Sequence, residues 1–198
     1  MIDILLRPNT RYCGRLAVLV LACLTCLGCF CAQRDALPAS QGEYLKAVPD
    51  GVWLTLQPGN DPDGPAEENR LALSWNEAER AYLAKDPTGQ DPAALLIRFY
   101  SLGSPPYYAV LAMDQIPEEG DDCPAALFLA RLQEGVIELV LPEQVDEAEH
   151  QALMDASGVS MVEGSLSGPP EGLKAYLLGL ADMGALMVLQ RYDFQGFQ

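Results

Sequence analysis

Positive charge, histidine and cysteine beyond the leader are all scarce in this chain. Its 198 residues hold 12 Lys and Arg against 28 Asp and Glu, a formal charge of −16. A protein that grips a phosphate backbone needs clustered bases to displace counterions, and no basic stripe exists here, so nucleic acid is excluded as a partner. The one histidine, His150, leaves imidazole chemistry a single candidate. It stands near Glu143 and Glu147 at roughly helical spacing, an array that reads as a solvated helix face. No G-x-S-x-G turn is present to hold a nucleophilic serine, and the nearest string, Gly164-Ser165-Leu166-Ser167-Gly168, has Leu166 at its centre. Four suitable zinc ligands cannot be found at usual spacing. The acidic runs Asp61, Asp63, Glu67, Glu68 and Glu118, Glu119, Asp121, Asp122 offer carboxylates, yet the first misses the EF-hand register, because Gly64 at the invariant glycine position puts Arg70 where the last acidic ligand belongs. The sequence names no catalytic residue, metal site or cofactor.

What is present is 49% hydrophobic and only 20% charged residues, enough apolar surface for a folded core. The charge is uneven. Residues 1–28 carry Arg7, Arg11 and Arg15 against Asp3, so the remainder holds 27 acids and nine bases, a net of −18. From Leu16 to Gly28 the chain reads LAVLVLACLTCLG, an uncharged run behind three arginines, as in the basic and apolar regions of a secretory signal. Extended to Ala32, the run reaches about seventeen residues, the lower limit for a helix that spans a hydrocarbon core, and a signal-anchor helix is the competing reading. Either way the arginines stay cytoplasmic and the acidic body crosses the membrane.

Five of the six cysteines, Cys13, Cys23, Cys26, Cys29 and Cys31, fall in the first 32 residues, and only Cys123 lies beyond. In Cys26-Leu27-Gly28-Cys29 a glycine precedes the cysteine at the end of the apolar run, and at this point the chain resembles a bacterial lipoprotein precursor. The likeness is to a processing signal, not to a fold. Cys26 stands where that family usually has an aliphatic residue. Val20-Leu21-Ala22-Cys23 fits the local pattern better but leaves an apolar region of only about seven residues. Cys29 is therefore the favoured lipidation site and Cys23 the alternative. The resemblance implies a diacylglyceryl thioether and an added amide-linked chain, and at about 0.8 kcal/mol per buried CH₂ several chains together make a lasting anchor. Phe30, rather than Asp, follows Cys29, which in a Gram-negative cell implies the outer membrane. Cleavage before Cys29 leaves Cys31 and Cys123 as an even pair in an oxidising compartment, where a disulfide is permitted; a free Cys123 at a loop edge is the other reading.

The pattern divides the chain into a signal peptide over 1–28, a tether over 29–49 that is short of large apolar residues, and one acidic domain over 50–198. Within the domain, strands are predicted at 51–56 and 71–75, hairpins at 95–100 with 107–113 and at 127–132 with 136–141, and a last strand at 185–189. Helices are predicted over 76–86, from 143 to about 156, and from 170 to Gly184. Together these predict an α+β domain, one antiparallel sheet of roughly six to eight strands with two or three helices packed on one face. Tyr100, Tyr107 and Tyr108 flank the SLGSPP loop and are candidate partner contacts, since tyrosine offers stiff amphipathic area, although alternate tyrosines also suit a sheet's core. The functional expectation is an exported, lipid-anchored, periplasm-facing envelope protein that binds a basic envelope protein without catalysis, as an inhibitor or immunity-type lipoprotein would. The alternatives are a structural component of an envelope assembly and a hydrolase that uses the carboxylates of an acidic loop.

Overall fold

The computed structural model describes residues 30–57, 67–88, 94–116, 123–144 and 146–197. Seven strands follow one another as an antiparallel meander: β2 (Gly51–Gln57), β3 (Glu67–Asn76), β4 (Ala81–Lys85), β5 (Ala94–Ser101), β6 (Tyr107–Asp114), β7 (Ala125–Gln133) and β8 (Val136–Pro142). An eighth, β11 (Leu186–Gly196), lies between β8 and β2, and β6 pairs with β7, so the eight strands close into a barrel. The segment between β8 and β11 carries helix α1 (Glu147–Ser157), the short strands β9 (Ser160–Val162) and β10 (Ser165–Ser167), and helix α2 (Pro170–Ala181).

This corrects the α+β expectation. A sheet of eight twisted strands removes its own edges by closing, and the wall itself then encloses the inner core. Local chemistry accounts for part of the difference. Asn76 does cap a turn, accepting from the backbone N–H groups of Ala78 at 3.1 Å and Glu79 at 3.2 Å. But Arg80 takes a positive φ of 47°, which no α-helix continues through, and Ala81, Tyr82 and Ala84 go on as strand β4. The helix read over 76–86 is thus one turn and a strand.

The barrel interior is apolar and its outer wall is covered on one side only. Trp53, Leu73, Tyr82, Phe99, Val110, Phe128 and Leu139 belong to the inner core. On the outside of β6, β7 and β8, Leu173, Tyr176, Leu177 and Leu180 of α2 pack on Ala109, Leu111, Leu127, Leu129 and Val140. Strands β5 to β8 are therefore buried on both faces, which is why AALFLARL reads as a continuous apolar run. Strands β2, β3 and β11 keep outward residues such as Arg70, Ser74 and Arg191 exposed. A barrel that spans a bilayer has the reverse arrangement, a polar lumen and an apolar outer band, so this one is not built to span. Among the described residues no helix is long and apolar enough to cross a membrane.

One barrel end is plugged by the chain that precedes β2. Leu45 and Val48 are buried there, the Tyr82 hydroxyl accepts from Leu45 N–H at 2.9 Å and donates to Leu45 C=O at 3.2 Å, and the Trp53 indole N–H donates to Pro49 C=O at 3.3 Å. Burial raises the ionisation of Tyr82 and Tyr176 far above the usual range, and that of Tyr100 to about 12 against the opposing pull of Arg98. The unfolded chain releases such protons near pH 10 while the folded chain retains them. Stability contributed by these three is thus complete below about pH 10 and is lost as pH rises through the folded values. Alkaline titration followed by tyrosinate absorbance is expected to show them ionising only with unfolding; three tyrosines more titrating early in the native state would contradict it.

A buried carboxylate ties β7, β8 and β11 together on the outer wall. Glu138 is 6% exposed, with Arg131 Nη2 at 2.7 Å and Arg191 Nη1 at 3.4 Å. Removing one partner of a buried pair costs most when it strands the buried charge. Arg131→Ala leaves Glu138 with only the half-exposed Arg191 and is expected to lose about 2 kcal/mol, while Glu138→Gln frees two arginines that reach solvent and is expected to lose less. Urea unfolding of the two variants checks the order.

Candidate functional site

Strand β1 (Phe30–Ala32) is laid against the first half of β7, Phe30 opposite Leu127, just where β8 has separated from β7 beyond the Leu129–Val140 pair. Cys31 in β1 and Cys123 before β7 are joined in a disulfide. After β1 the chain crosses the outer wall, where Leu37 is fully buried and its C=O accepts from the Tyr100 hydroxyl at 3.2 Å. Residues 30–49 of the segment read from sequence as a tether over 29–49 are thus packed on the barrel. The lipidation candidates Cys29 and Cys23 lie outside the described residues.

The tyrosine trio does not share a surface. Tyr100 is fully buried under the crossing segment, and Tyr107 and Tyr108, being successive strand residues, turn to opposite sides of the wall: Tyr107 packs on the outer core and Tyr108 on the inner. His150 Nε2 lies 2.6 Å from the Tyr176 hydroxyl, so the only imidazole clips α1 to α2. Glu143 and Glu147 are exposed. Of the acidic runs, Glu68 is exposed and pairs with Arg70 at 3.7 Å, while Asp61, Asp63 and the run 118–122 lie outside the described residues. No group of three or more metal-ligating side chains occurs among the described residues.

Two concavities stand out among the described residues. Inside the barrel, Trp53, Leu71, Leu95, Ile97, Val110 and Phe128 help to line an apolar void of about 50 Å³. A cavity that admits benzene is roughly three times larger, and sites for metabolite-sized ligands start near 300 Å³. This is a packed interior, the filled alternative open to an eight-stranded barrel. The second concavity is an open cleft of about 570 Å³ on the outer wall of β5 and β6. Arg98, 7% exposed, is among its lining residues; its Nε donates to Glu79 C=O at 3.3 Å, Nη2 lies 3.7 Å from the Glu79 carboxylate, and Nη1 faces Met113 Sδ at 3.7 Å. Arg34 and Asp35, from the segment just after β1, also line it, together with Gln115 and Ile116 from the end of β6. Ile116 is 81% exposed.

Against family models, curated proteins and solved structures, the chain matches none. Among the described residues the cleft is lined by two guanidiniums, two carboxylates, an amide and three apolar side chains. Nothing in the sequence marked it, because Arg34, Glu79, Arg98 and Ile116 come from four separate stretches that the pairing of β4, β5 and β6 and the crossing of the segment after β1 bring together.

Proposed function

We propose that this chain is an exported, lipid-anchored envelope protein whose barrel serves as a non-catalytic protein-binding module. The observation that supports export is the Cys31–Cys123 disulfide, which begins two residues after Cys29. Such bonds persist in oxidising compartments and are rare in the cytosol, so it agrees with the export signal in the leader. Anchoring is tested by fractionation: wild type is expected in membranes, and Cys29→Ala is expected to remain as uncleaved precursor. Normal maturation of that variant would contradict lipidation at Cys29.

The net charge of −18 beyond residue 28 favours a basic partner, since complementary fields speed encounter and weaken with salt. The cleft is the surface proposed to meet it, with Ile116 as the exposed apolar contact. Ile116→Asp is expected to weaken retention of a salt-eluted envelope protein by about tenfold, the effect of losing a modest hot spot. Unchanged retention would remove the cleft from the account, and an envelope extract without a salt-sensitive partner would remove the basic-partner reading.

A further inference from the structure

We infer that the β9–β10 hairpin is a membrane-contact element, resting on the lipid surface beside the anchored amino terminus. The inference depends on the lipid-anchor reading and adds to it the face that the domain turns to the bilayer. Strand β1 starts at Phe30, directly after Cys29. It is held on one side by β7, on the other by β10 and through Cys31 by the disulfide, so no slack chain separates an acylated Cys29 from the folded domain. The parallel register Cys31 to Ser165 sets Phe30 level with Gly164 in the hairpin's turn. Glu163 and Gly164 make that turn with positive φ values of 51° and 81°. Strand β9 is the outermost of this three-stranded flap, two strand spacings or roughly 10 Å from β1.

All three residues of β9 are exposed, including Met161 at 48% and Val162 at 52%. Acyl chains buried from Cys29 hold these apolar side chains at the height of the lipid headgroups, where apolar groups gain by entering the acyl boundary. A lipid surface is thus the occupant that the chain's own path supplies. Glu163 at the turn adds no attraction to anionic lipid, so contact is expected on phosphatidylcholine alone.

The test uses the mature, lipidated chain extracted from membranes. Met161→Cys and Val162→Cys variants carry a nitroxide on the introduced thiol, and Ser74→Cys, an exposed position on β3 across the barrel from β7, is the reference. In phosphatidylcholine vesicles, the ratio of nitroxide collisions with oxygen to collisions with a water-soluble nickel chelate is expected to be several-fold higher at 161, 162 or both than at 74. Adjacent strand residues face opposite ways, so the pair also tells which face meets lipid. Equal ratios at all three positions in a protein with acyl mass overturn the inference and leave the anchor standing. Low access to both colliders at 161 and 162 marks protein contact and overturns it as well. Absence of acyl mass overturns the anchor reading and this inference together.

Discussion

Replacing Trp53 with alanine is expected to lower the unfolding free energy by about 3–5 kcal/mol, the range for large-to-small changes of a buried aromatic. Trp53 is fully buried, lies 5.3 Å from the Phe194 ring centroid, and bonds through its indole N–H to the plug segment at Pro49. Its removal therefore opens a cavity at the plugged end and loosens the segment that closes it. Because the void already present is only about 50 Å³, the neighbours have little spare room into which to collapse. Denaturant unfolding should show a lower midpoint at unchanged slope. A loss under about 1 kcal/mol would mean that the interior is not the packed core described here.

The second large effect is expected from Cys123→Ser. The bond closes a loop with a sequence separation of 92 residues, for which the loop-entropy relation gives about 4–5 kcal/mol, and measured losses of native disulfides run from about 2 to 5. The loss should also be local. Strand β1 has only three residues to pair with β7 and two to pair with β10, so without the covalent link Phe30–Ala32 should exchange amide protons faster than β5 or β6. Treatment with reductant should reproduce both effects in the wild type and neither in the variant. An unchanged midpoint in Cys123→Ser would show that the bond contributes nothing to holding β1.

Local chemistry made some elements legible in the sequence and left others hidden. The β7–β8 hairpin was readable because Gly135, with φ of 71°, marks a two-residue turn between apolar runs. Helix α1 was readable from its acidic first turn, where Asp146 caps the N–H groups of Ala148 and Glu149. Strand β4 was not, because a capping asparagine before Glu77 gives the same local signal for one turn as for a helix. Barrel closure was hidden for a different reason: it depends on β6 meeting β7 and on β11 entering between β8 and β2, and side-chain period within a strand says nothing about its second neighbour. The cleft was hidden because strand β4 was not legible and the crossing of Arg34 over the wall has no local signal, and Arg98 is an ordinary outward residue of β5 until Glu79 and Arg34 arrive beside it. The tyrosines illustrate the converse. Their chemistry suggested a contact surface, but burial depends on what crosses the strand, and the segment at Leu37 crosses over Tyr100.

The most direct measurement is the intact mass of the protein extracted from membranes and treated with a thiol-alkylating reagent before and after reduction. The expected result is a chain that starts at Cys29, carries acyl mass, takes up no alkyl group before reduction and takes up two after it, at Cys31 and Cys123. A full-length, unacylated chain that is alkylated without reduction would contradict both the anchor and the oxidising compartment on which the proposed function rests.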